Sequence, residues 1–204
     1  MPMRWIVGID EVGRGALAGP VVVAAALVPV SKRAIANYTL GTLKDSKKLT
    51  PEVREAWFKH FKNHPNVSFA VARVYPRGIE KMNISKAANL AALRAFKRLI
   101  KERNLSPETP VFLDGGLYLG NGSTRLMHAK TVIKGDEKIH AVAAASIAAK
   151  VTRDRFMCRL AKAHPAYGFD AHKGYGTQAH RKALRETGPC DAHRLTFLAP
   201  QYKI

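Results

Sequence analysis

Four acidic residues of the chain stand at the predicted ends of strands or at the predicted start of a helix. They are Asp10, Glu11, Asp114 and Asp136. Carboxylates that a fold brings together repel one another, and a divalent cation offsets that repulsion because it accepts hard oxygen ligands. Two such ions about 3.5 to 4 Å apart can activate a water on one side of a phosphodiester and stabilise the leaving oxygen on the other. The acids therefore predict a site for Mg²⁺ or Mn²⁺ that supports metal-assisted hydrolysis.

Each acid taken alone also has a simpler interpretation. An aspartate before a helix can cap it, as Asp136 could, and an aspartate before two glycines can bond a turn, as Asp114 could. Asp10 and Glu11 raise a separate question, because successive strand residues point to opposite faces of a sheet. Both can serve one site only if the strand ends there or if Glu11 contributes its carbonyl, and the sequence leaves these alternatives open.

Glycines, basic residues and a tyrosine supply candidate contacts to phosphate and sugar. Gly13-Arg14-Gly15 offers unobstructed backbone amides and a guanidinium suited to phosphate, although glycines near a strand end more often only form a turn. Lys47 can neutralise a phosphate, and Tyr175, which lies between two glycines, can stack on a sugar or base. The alternatives are a solvated charge for Lys47 and a turn residue packed on the core for Tyr175.

The charge balance of the chain indicates an anionic partner. Lys and Arg number 34 against 15 acidic residues, a formal net charge of +19 that exceeds what solubility requires. Nucleic acid is the expected partner, and a generally basic surface without a specific partner is the alternative. A length of 204 residues with 47% hydrophobic residues suffices for the core of one domain.

Cysteine usage and hydropathy favour a cytoplasmic protein. Cys158 and Cys190 show no Cys-x-x-Cys spacing and are too few for a disulfide framework, which indicates a reducing compartment. The longest apolar stretch, residues 16–30, is interrupted by glycine and proline and falls short of the roughly 18 residues expected of a membrane span. Asp10 and Glu11 lie just before this stretch and argue against a secretory signal.

Hydrophobic periodicity predicts strands that alternate with helices. Apolar runs predict strands over residues 5–9, 21–28, 67–74, 110–113 and 131–133. Helical spacing and start signals predict helices from Pro51, over about 83–101, over about 139–160 and over 177–187. The first three strands can form a meander. This order of elements predicts an α/β fold in which helices pack on a mixed sheet.

A series of short segments carries a resemblance that runs in order over nearly the whole chain. In the first part of the chain these are Gly8-Ile-Asp-Glu-Val-Gly-Arg-Gly15, Leu17-Ala-Gly-Pro20, Asp45-Ser46-Lys47, Asn83-Ile84, Leu113-Asp-Gly115 and Lys134-Gly-Asp136. In the second part they are residues 143–147, 149–151 and 153–154, His172-Lys-Gly-Tyr-Gly-Thr177 and Gly188-Pro-Cys190. Together they resemble the bacterial ribonuclease HII family, the type 2 ribonucleases H. The Gly-Arg-Gly segment argues against the related type 3 enzymes, whose glycine segment differs.

The resemblance implies an RNase H-like fold, a central mixed β-sheet flanked by helices. It implies one catalytic domain over residues 1–204, whose helical C-terminal part, about 164–204, helps to bind the substrate. The catalytic acids and metal ligands it implies are Asp10, Glu11, Asp114 and Asp136, with two Mg²⁺ or Mn²⁺ ions during catalysis. It further implies that Gly13, Arg14 and Gly15 sense the ribonucleotide 2′-hydroxyl and its phosphate, that Tyr175 stacks on the following deoxyribose, and that Lys47 helps to position phosphates.

The activity implied by the resemblance is hydrolysis of RNA in RNA/DNA hybrids and nicking of duplex DNA on the 5′ side of an embedded ribonucleotide. The products carry a 3′-hydroxyl and a 5′-phosphate, and the role is ribonucleotide removal from DNA. The alternatives are an RNase H-like nuclease without junction specificity and a non-catalytic nucleic-acid-binding protein. Four intact acids disfavour the latter, because unneutralised carboxylates beside phosphate would weaken a pure binder. We expect a monomer, and no sliding-clamp motif is recognisable in Leu195–Ile204.

Overall fold

A single mixed sheet organises the part of the chain that the structure describes. The computed structural model describes residues 4–37, 39–41, 43, 46–103, 105–120 and 129–202. The strands are β1 (Trp5–Val12), β2 (Val21–Pro29), β3 (Ser68–Val74), β4 (Val111–Asp114) and β5 (Ala129–Val132), in the sheet order β3-β2-β1-β4-β5. The first three strands are antiparallel neighbours, which confirms the predicted meander, and β4 and β5 run parallel to β1.

The helices begin where the sequence predicts them. They are α1 (Pro51–Asn63), α2 (Pro76–Met82), α3 (Ile84–Arg103), α4 (Gly135–Lys138), α5 (His140–Ala163), α6 (Phe169–His172) and α7 (Gln178–Thr187). Thr50 caps α1, since its hydroxyl oxygen accepts a hydrogen bond from the Val53 N–H at 3.4 Å, and Thr177 caps α7 in the same way. The three helices that were not predicted, α2, α4 and α6, have seven residues or fewer. They are too short to show a helical period.

The sheet is covered on both faces, so that β2, which lies between two other strands, is buried at all nine positions. Successive residues of β1 contribute to opposite faces, as the pleat of a strand requires. Val7 and Ile9 pack in one hydrophobic cluster with the alanines of α3, whereas Ile6 packs in another with residues of α1 and α5. Asp10 therefore lies on the face that α5 covers, and Glu11 lies on the opposite face.

Helix α5 approaches β1 so closely that only glycine fits at position 8. A Cβ atom on Gly8 would lie 2.1 Å from the backbone carbon of Ala141 and 2.2 Å from the nitrogen of Val142. Real Cβ atoms do not approach backbone atoms this closely, so any side chain at this position would push α5 away from the sheet. The contact holds the N-terminal half of α5 directly over the strand that carries Asp10.

The C-terminal residues fold onto the second half of α5. Met157 of α5 packs there in a third hydrophobic cluster, together with Tyr167, Phe169 and Leu184. This region consists of α6, α7 and short 3-10 turns, in agreement with the predicted helical C-terminal part. Among the described residues, no helix combines the length and the apolar character that a membrane crossing requires.

Candidate active site

Strand β1 passes through the first two acids instead of ending at them. Asp10 pairs with Ala24 and Glu11 with Val23, because β2 continues alongside up to Val12. On the other side, pairing with β4 stops at Ile9. The prediction that the strand ends at the acids is therefore wrong for the β2 side and right for the β4 side. The Glu11 N–H donates a hydrogen bond to Oδ1 of Asp10 at 2.7 Å.

Three of the four predicted acids meet at the open side of β1. Asp10, Glu11 and Asp114 each bring one carboxylate oxygen within 4.8 Å of those of the other two. Asp114 takes part because it is the last residue of the parallel strand β4. Glu11 joins through its side chain, which resolves the question that the pleat of the strand raised. Its Oε2 atom is buried and has no hydrogen-bond partner among the described residues.

Asp136 is buried at the start of α4, next to this cluster but outside the group of three. The preceding residue, Gly135, donates its N–H to Oδ1 of Asp114 at 2.7 Å, which ties the start of α4 to β4. The N-cap of the long helix α5 is Ile139, and it makes no side-chain capping bond. The interpretation of Asp136 as the cap of the long helix is therefore wrong.

Burial and mutual repulsion raise the pKa values of the clustered carboxyls. Desolvation raises the pKa of Asp10 well above its ordinary value. A hydrogen bond from Ser146 lowers this pKa, whereas the charges of Glu11 and Asp114 raise it further. Desolvation also raises the pKa of Glu11, and the guanidinium of Arg14 opposes that shift. Holding these acids ionised therefore costs free energy in the absence of a counter-charge.

Two buried serines support Asp10, and sequence reasoning assigned neither of them a role. The Ser146 side chain, on α5, hydrogen-bonds the Asp10 carboxyl, and its hydroxyl lies 2.8 Å from that of Ser46. A polar residue inside an otherwise alanine-rich helix was the signal that could have identified Ser146. Asp45 and the side chain of Lys47, which belong to the same sequence segment as Ser46, lie outside the described residues.

The Gly-Arg-Gly segment forms a turn beside the acids. Arg14 donates to Oε1 of Glu11 at 3.4 Å, to the Gly116 carbonyl at 3.2 Å and to the Ser85 hydroxyl at 2.9 Å. Gly13 has a φ of 85°, in the left-handed region that favours glycine. Gly15 is exposed, and a Cβ atom added there would meet no atom within 4 Å.

Tyr175 is linked to this turn through Arg153, whose side chain also fills the space under Gly13. Tyr175 is 36% exposed, and the guanidinium carbon of Arg153 lies 5.4 Å from the ring centroid. The neighbouring Gly174 carbonyl accepts hydrogen bonds from the N–H groups of Leu17 and Ala18 at 2.8 and 3.2 Å. The segment that carries Tyr175 is thus joined to the segment that follows Gly15.

A directional pair of histidines holds the backbone of Tyr175. Nδ1 of His193 accepts from the Cys190 N–H at 3.0 Å, so Nε2 of His193 carries the proton and donates to Nε2 of His180 at 3.0 Å. Nδ1 of His180 then donates to the Tyr175 carbonyl at 3.0 Å. Burial lowers the pKa of both imidazoles to about 4, so both are neutral at neutral pH. Sequence reasoning found only that the set His140, His164, His172, His180 and His193 contains no His-x-x-x-His pair of the kind that binds a metal on a helix.

Comparison with solved structures identifies the fold class. The ribonuclease HII of Archaeoglobus fulgidus, solved in complex with PCNA, shares 26% identity at a TM-score of 0.71, covering 100% of this chain and 98% of that one. Ribonuclease H2 of Pyrococcus horikoshii OT3 shares 25% identity at a TM-score of 0.72, covering 94% and 93%. A ribonuclease HIII solved with Mn²⁺, 22% identical over 98% of this chain and 68% of that one at a TM-score of 0.69, shows the same fold. The protein thus has the ribonuclease H fold, a central mixed sheet flanked by helices, as predicted.

Comparison with sequences identifies the family. The model of the family described as Ribonuclease HII matches residues 7–199. The ribonuclease HII of Caldicellulosiruptor bescii is 40% identical over 195 residues, 96% of this chain and 87% of the relative. That of Chlamydia caviae is 43% identical over 192 residues, 94% and 83%. The chain belongs to the ribonuclease HII family, and it is a hydrolytic endoribonuclease.

Proposed function

We propose that this endoribonuclease cleaves RNA in RNA/DNA hybrids and nicks duplex DNA on the 5′ side of an embedded ribonucleotide, leaving a 3′-hydroxyl and a 5′-phosphate. This activity would serve ribonucleotide removal from DNA. The observation that carries the proposal is the placement of the acidic cluster beside the Gly13–Gly15 turn, with Arg14 bonded to Glu11. The turn offers contacts to a 2′-hydroxyl within reach of groups that can promote phosphodiester cleavage.

The acids fit a divalent cation. Asp10, Glu11 and Asp114 offer an all-oxygen donor set, and the unpartnered Oε2 of Glu11 is the kind of buried atom that a metal ion satisfies. We propose Asp136 as the fourth ligand residue, because it is buried directly after Gly135, which bonds Asp114. Bound Mg²⁺ or Mn²⁺, with two ions during catalysis, would supply an activated water and stabilise the leaving oxygen.

The remaining predicted residues would select the substrate. Arg14 can exchange its bond with Glu11 for a phosphate, because a guanidinium pairs strongly with phosphate oxygens. The open space at Gly15 lets a sugar approach the turn, and the exposed ring of Tyr175 can stack on the next deoxyribose. Lys47 would help to position phosphates. A 2′-hydroxyl on that next sugar would crowd the ring, so a ribonucleotide followed by a deoxyribonucleotide would be cleaved in preference to a site within a hybrid.

We further propose that residues 1–204 form one catalytic domain that works as a monomer. The helical part over about 164–204 would assist substrate binding, because it carries Tyr175 and contacts the segment after Gly15. Two backbone bonds support this assignment in addition to those at Gly174. The Gly19 N–H donates to the Ala192 carbonyl, and the Arg194 N–H donates to the Leu17 carbonyl, each at 2.8 Å.

Incision of defined duplexes tests the proposal. The protein is incubated with Mg²⁺ or Mn²⁺ and a DNA duplex that contains one ribonucleotide, beside an all-DNA duplex and an RNA/DNA hybrid. We expect incision on the 5′ side of the ribonucleotide, cleavage of the hybrid and no cleavage of all-DNA. Cleavage of the hybrid alone would indicate a nuclease without junction specificity, and binding without any cleavage would indicate a non-catalytic binder. Either result contradicts the proposal.

Two variants assign the roles of the residues. Asp10→Asn should abolish cleavage and retain duplex binding, because it removes a metal ligand and one negative charge. Tyr175→Ala should reduce cleavage at the single ribonucleotide more than cleavage of the hybrid. Tyr75→Ala is the control, since Tyr75 is 50% exposed and contacts the ring of Phe156. Equal losses on both substrates in the Tyr175 variant would refute the proposed sugar sensing.

A further inference from the structure

Two fully buried arginines, Arg153 and Arg194, lie behind the segment that runs from Gly13 to Pro20. Both are 0% exposed, and the structure shows no carboxylate paired with either among the described residues. Their hydrogen-bond acceptors are backbone carbonyls. Arg194 donates to Gly13 at 2.7 Å, to Arg14 at 2.9 Å and to Gly19 at 2.9 Å. Arg153 donates to Ala18 at 3.1 Å, to Pro20 at 3.0 Å and to Lys173 at 2.8 Å.

Burying two charges without a carboxylate in contact is costly, and a pair of apolar side chains of similar volume would cost less. Desolvation lowers the pKa of both guanidiniums, in Arg194 to about 9, so both stay charged at neutral pH. The charge of Arg153 also contributes to the lowered pKa of Arg194, so the two guanidiniums lie close enough to repel each other. The fold therefore keeps two buried cations at a cost in free energy. Nearly all of their hydrogen bonds go to carbonyls of the Gly13–Pro20 segment.

The planarity of the peptide bond determines what these contacts do to the loop. In a trans peptide the C=O and the following N–H point in opposite directions. Arg194 holds the carbonyls of Gly13 and Arg14, so it turns the N–H groups of Arg14 and Gly15 away from itself. Neither of these N–H groups has an acceptor among the described residues. Adjacent free N–H groups of this kind form a concave anion-binding site, and positive charge behind the peptides strengthens their polarity.

Arg153 supports the same loop from its other end. Its side chain fills the space under Gly13, where an added Cβ atom would lie 2.1 Å from Nε of Arg153. The same guanidinium faces the ring of Tyr175 at 5.4 Å. One buried arginine therefore contacts both of the elements that the proposed function uses to recognise the ribonucleotide.

We propose that Arg194 and Arg153 are positioning residues for ribonucleotide recognition: they clamp the carbonyls of the Gly13–Pro20 segment so that the amides of Arg14 and Gly15 face the 2′-oxygen and the adjacent phosphate of the substrate. This inference rests on the proposed function. It adds two residues that touch no substrate and act through the backbone of the loop. The ligand class that the amides receive is a hydroxyl or phosphate oxygen next to a ribose.

Arg194→Lys tests the clamp, because lysine keeps the charge but its compact ammonium cannot span three carbonyls. Binding is measured in the Asp10→Asn background, which prevents cleavage, to an all-DNA duplex and to the same duplex with one ribonucleotide. We expect the ratio of the two affinities to fall by about tenfold, the worth of one charge-assisted hydrogen bond. General destabilisation lowers the active fraction equally for both duplexes and leaves the ratio unchanged. An unchanged ratio in Arg194→Lys would overturn the inference.

Phe61→Leu serves as the matched control. Phe61 is buried to 1% exposure in α1, packs in the cluster between the sheet, α1 and α5, and makes none of the hydrogen bonds that hold the Gly13–Pro20 segment. It should lower the melting temperature and leave the affinity ratio intact. If Arg194→Lys does not fold, Arg153→Lys carries the same test, because Arg153 holds the other carbonyls of the segment.

A measurement on the wild-type loop keeps the inference testable if neither variant folds. In ¹⁵N-labelled Asp10→Asn protein, the amide signals of Arg14 and Gly15 should shift more on addition of the ribonucleotide duplex than on addition of all-DNA. Equal shifts would overturn the inference. Failure of the proposed function is a separate result: the wild-type enzyme would then not incise the ribonucleotide duplex, whatever the variants do.

Discussion

At the scale of single residues, the acidic cluster is a place where stability and function oppose each other. Asp10 is 4% exposed, on a strand whose four preceding residues are also buried, and it shares the site with two further carboxylates. A carboxyl whose pKa is raised in the folded state destabilises the protein at every pH above its unfolded value, because folding then disfavours ionisation. The metal-free site therefore lowers the stability of the fold, and a bound cation would remove this destabilisation.

Neutralising Asp10 should therefore stabilise the metal-free protein. We expect Asp10→Asn to raise the melting temperature in EDTA at pH 8 by roughly 2 to 4 °C, the shift for about 1 kcal/mol in a protein of this size. Saturating Mn²⁺ should reduce the difference in melting temperature between the two proteins, because the wild type gains more binding free energy than the variant. Glu108→Gln, at an exposed acid, is the control and should leave the melting temperature unchanged. A lower melting temperature for Asp10→Asn would contradict the explanation.

The two glycines of the turn should respond differently to the same change. Gly15→Ala places its methyl group in open space, so the free energy of unfolding should change by less than about 0.5 kcal/mol. The methyl group would nevertheless stand where the substrate approaches, so KM should rise. Gly13→Ala places a side chain at a φ of 85° and against Arg153, and should lower the free energy of unfolding by more than about 2 kcal/mol. Thermal melts and steady-state kinetics measure both effects, and similar stabilities would argue against this difference.

At the scale of elements, the lengths of the strands make room for the site. Strand β1 is paired with β2 over its whole length but with β4 only up to Ile9, so the acids after Ile9 lie where β1 has no strand partner on its β4 side. The parallel strand β4 then delivers Asp114 to the same edge. The segment around Tyr175 is held in turn by His180, in the first turn of α7, and by His193, which follows that helix.

The histidine pair predicts a pH dependence of stability. The pKa values of His180 and His193 are lowered from 6.5 to about 4, so between these values the unfolded chain binds more protons than the folded one. Stability therefore falls as pH falls from 6.5 toward 4. His193→Gln removes one titrating group and should reduce the slope of unfolding free energy against pH by up to about 1.4 kcal/mol per pH unit. Denaturant titrations across this pH range measure the slope. Equal slopes in the wild type and in His193→Gln would refute the conclusion that both histidines are neutral in the folded protein.

At the scale of the whole molecule, the net charge of +19 governs how the enzyme meets its substrate. Binding to duplex DNA should weaken with salt at a log-log slope of about −0.9 per phosphate neutralised. Arg14→Gln should make the slope shallower by about 0.9 if Arg14 takes one phosphate. Fluorescence anisotropy at several salt concentrations measures the slope, and a flat response would mean that the charge does not serve nucleic acid binding.

Periodicity and local signals predicted most of the fold and the three acids that meet, because these depend on short stretches of sequence. The strand ends shifted by up to three residues, and the way in which Glu11 joins Asp10 depended on where pairing with β4 stops. Arg194 could not be predicted in the same way. It contacts Gly13 across 181 positions of the chain, and a lone basic residue near the end of a basic protein carries no local signal.

The long-range clamp also has a consequence for the order in which the enzyme matures. During synthesis all four acids leave the ribosome well before Arg194, so the acidic cluster can assemble while the turn beside it still lacks its support. On the proposed role of Arg194, the nascent chain would acquire its cleaving groups before its means of discrimination. The closing of residues 192–194 over Leu17 and Gly19 would be the step that makes the enzyme selective.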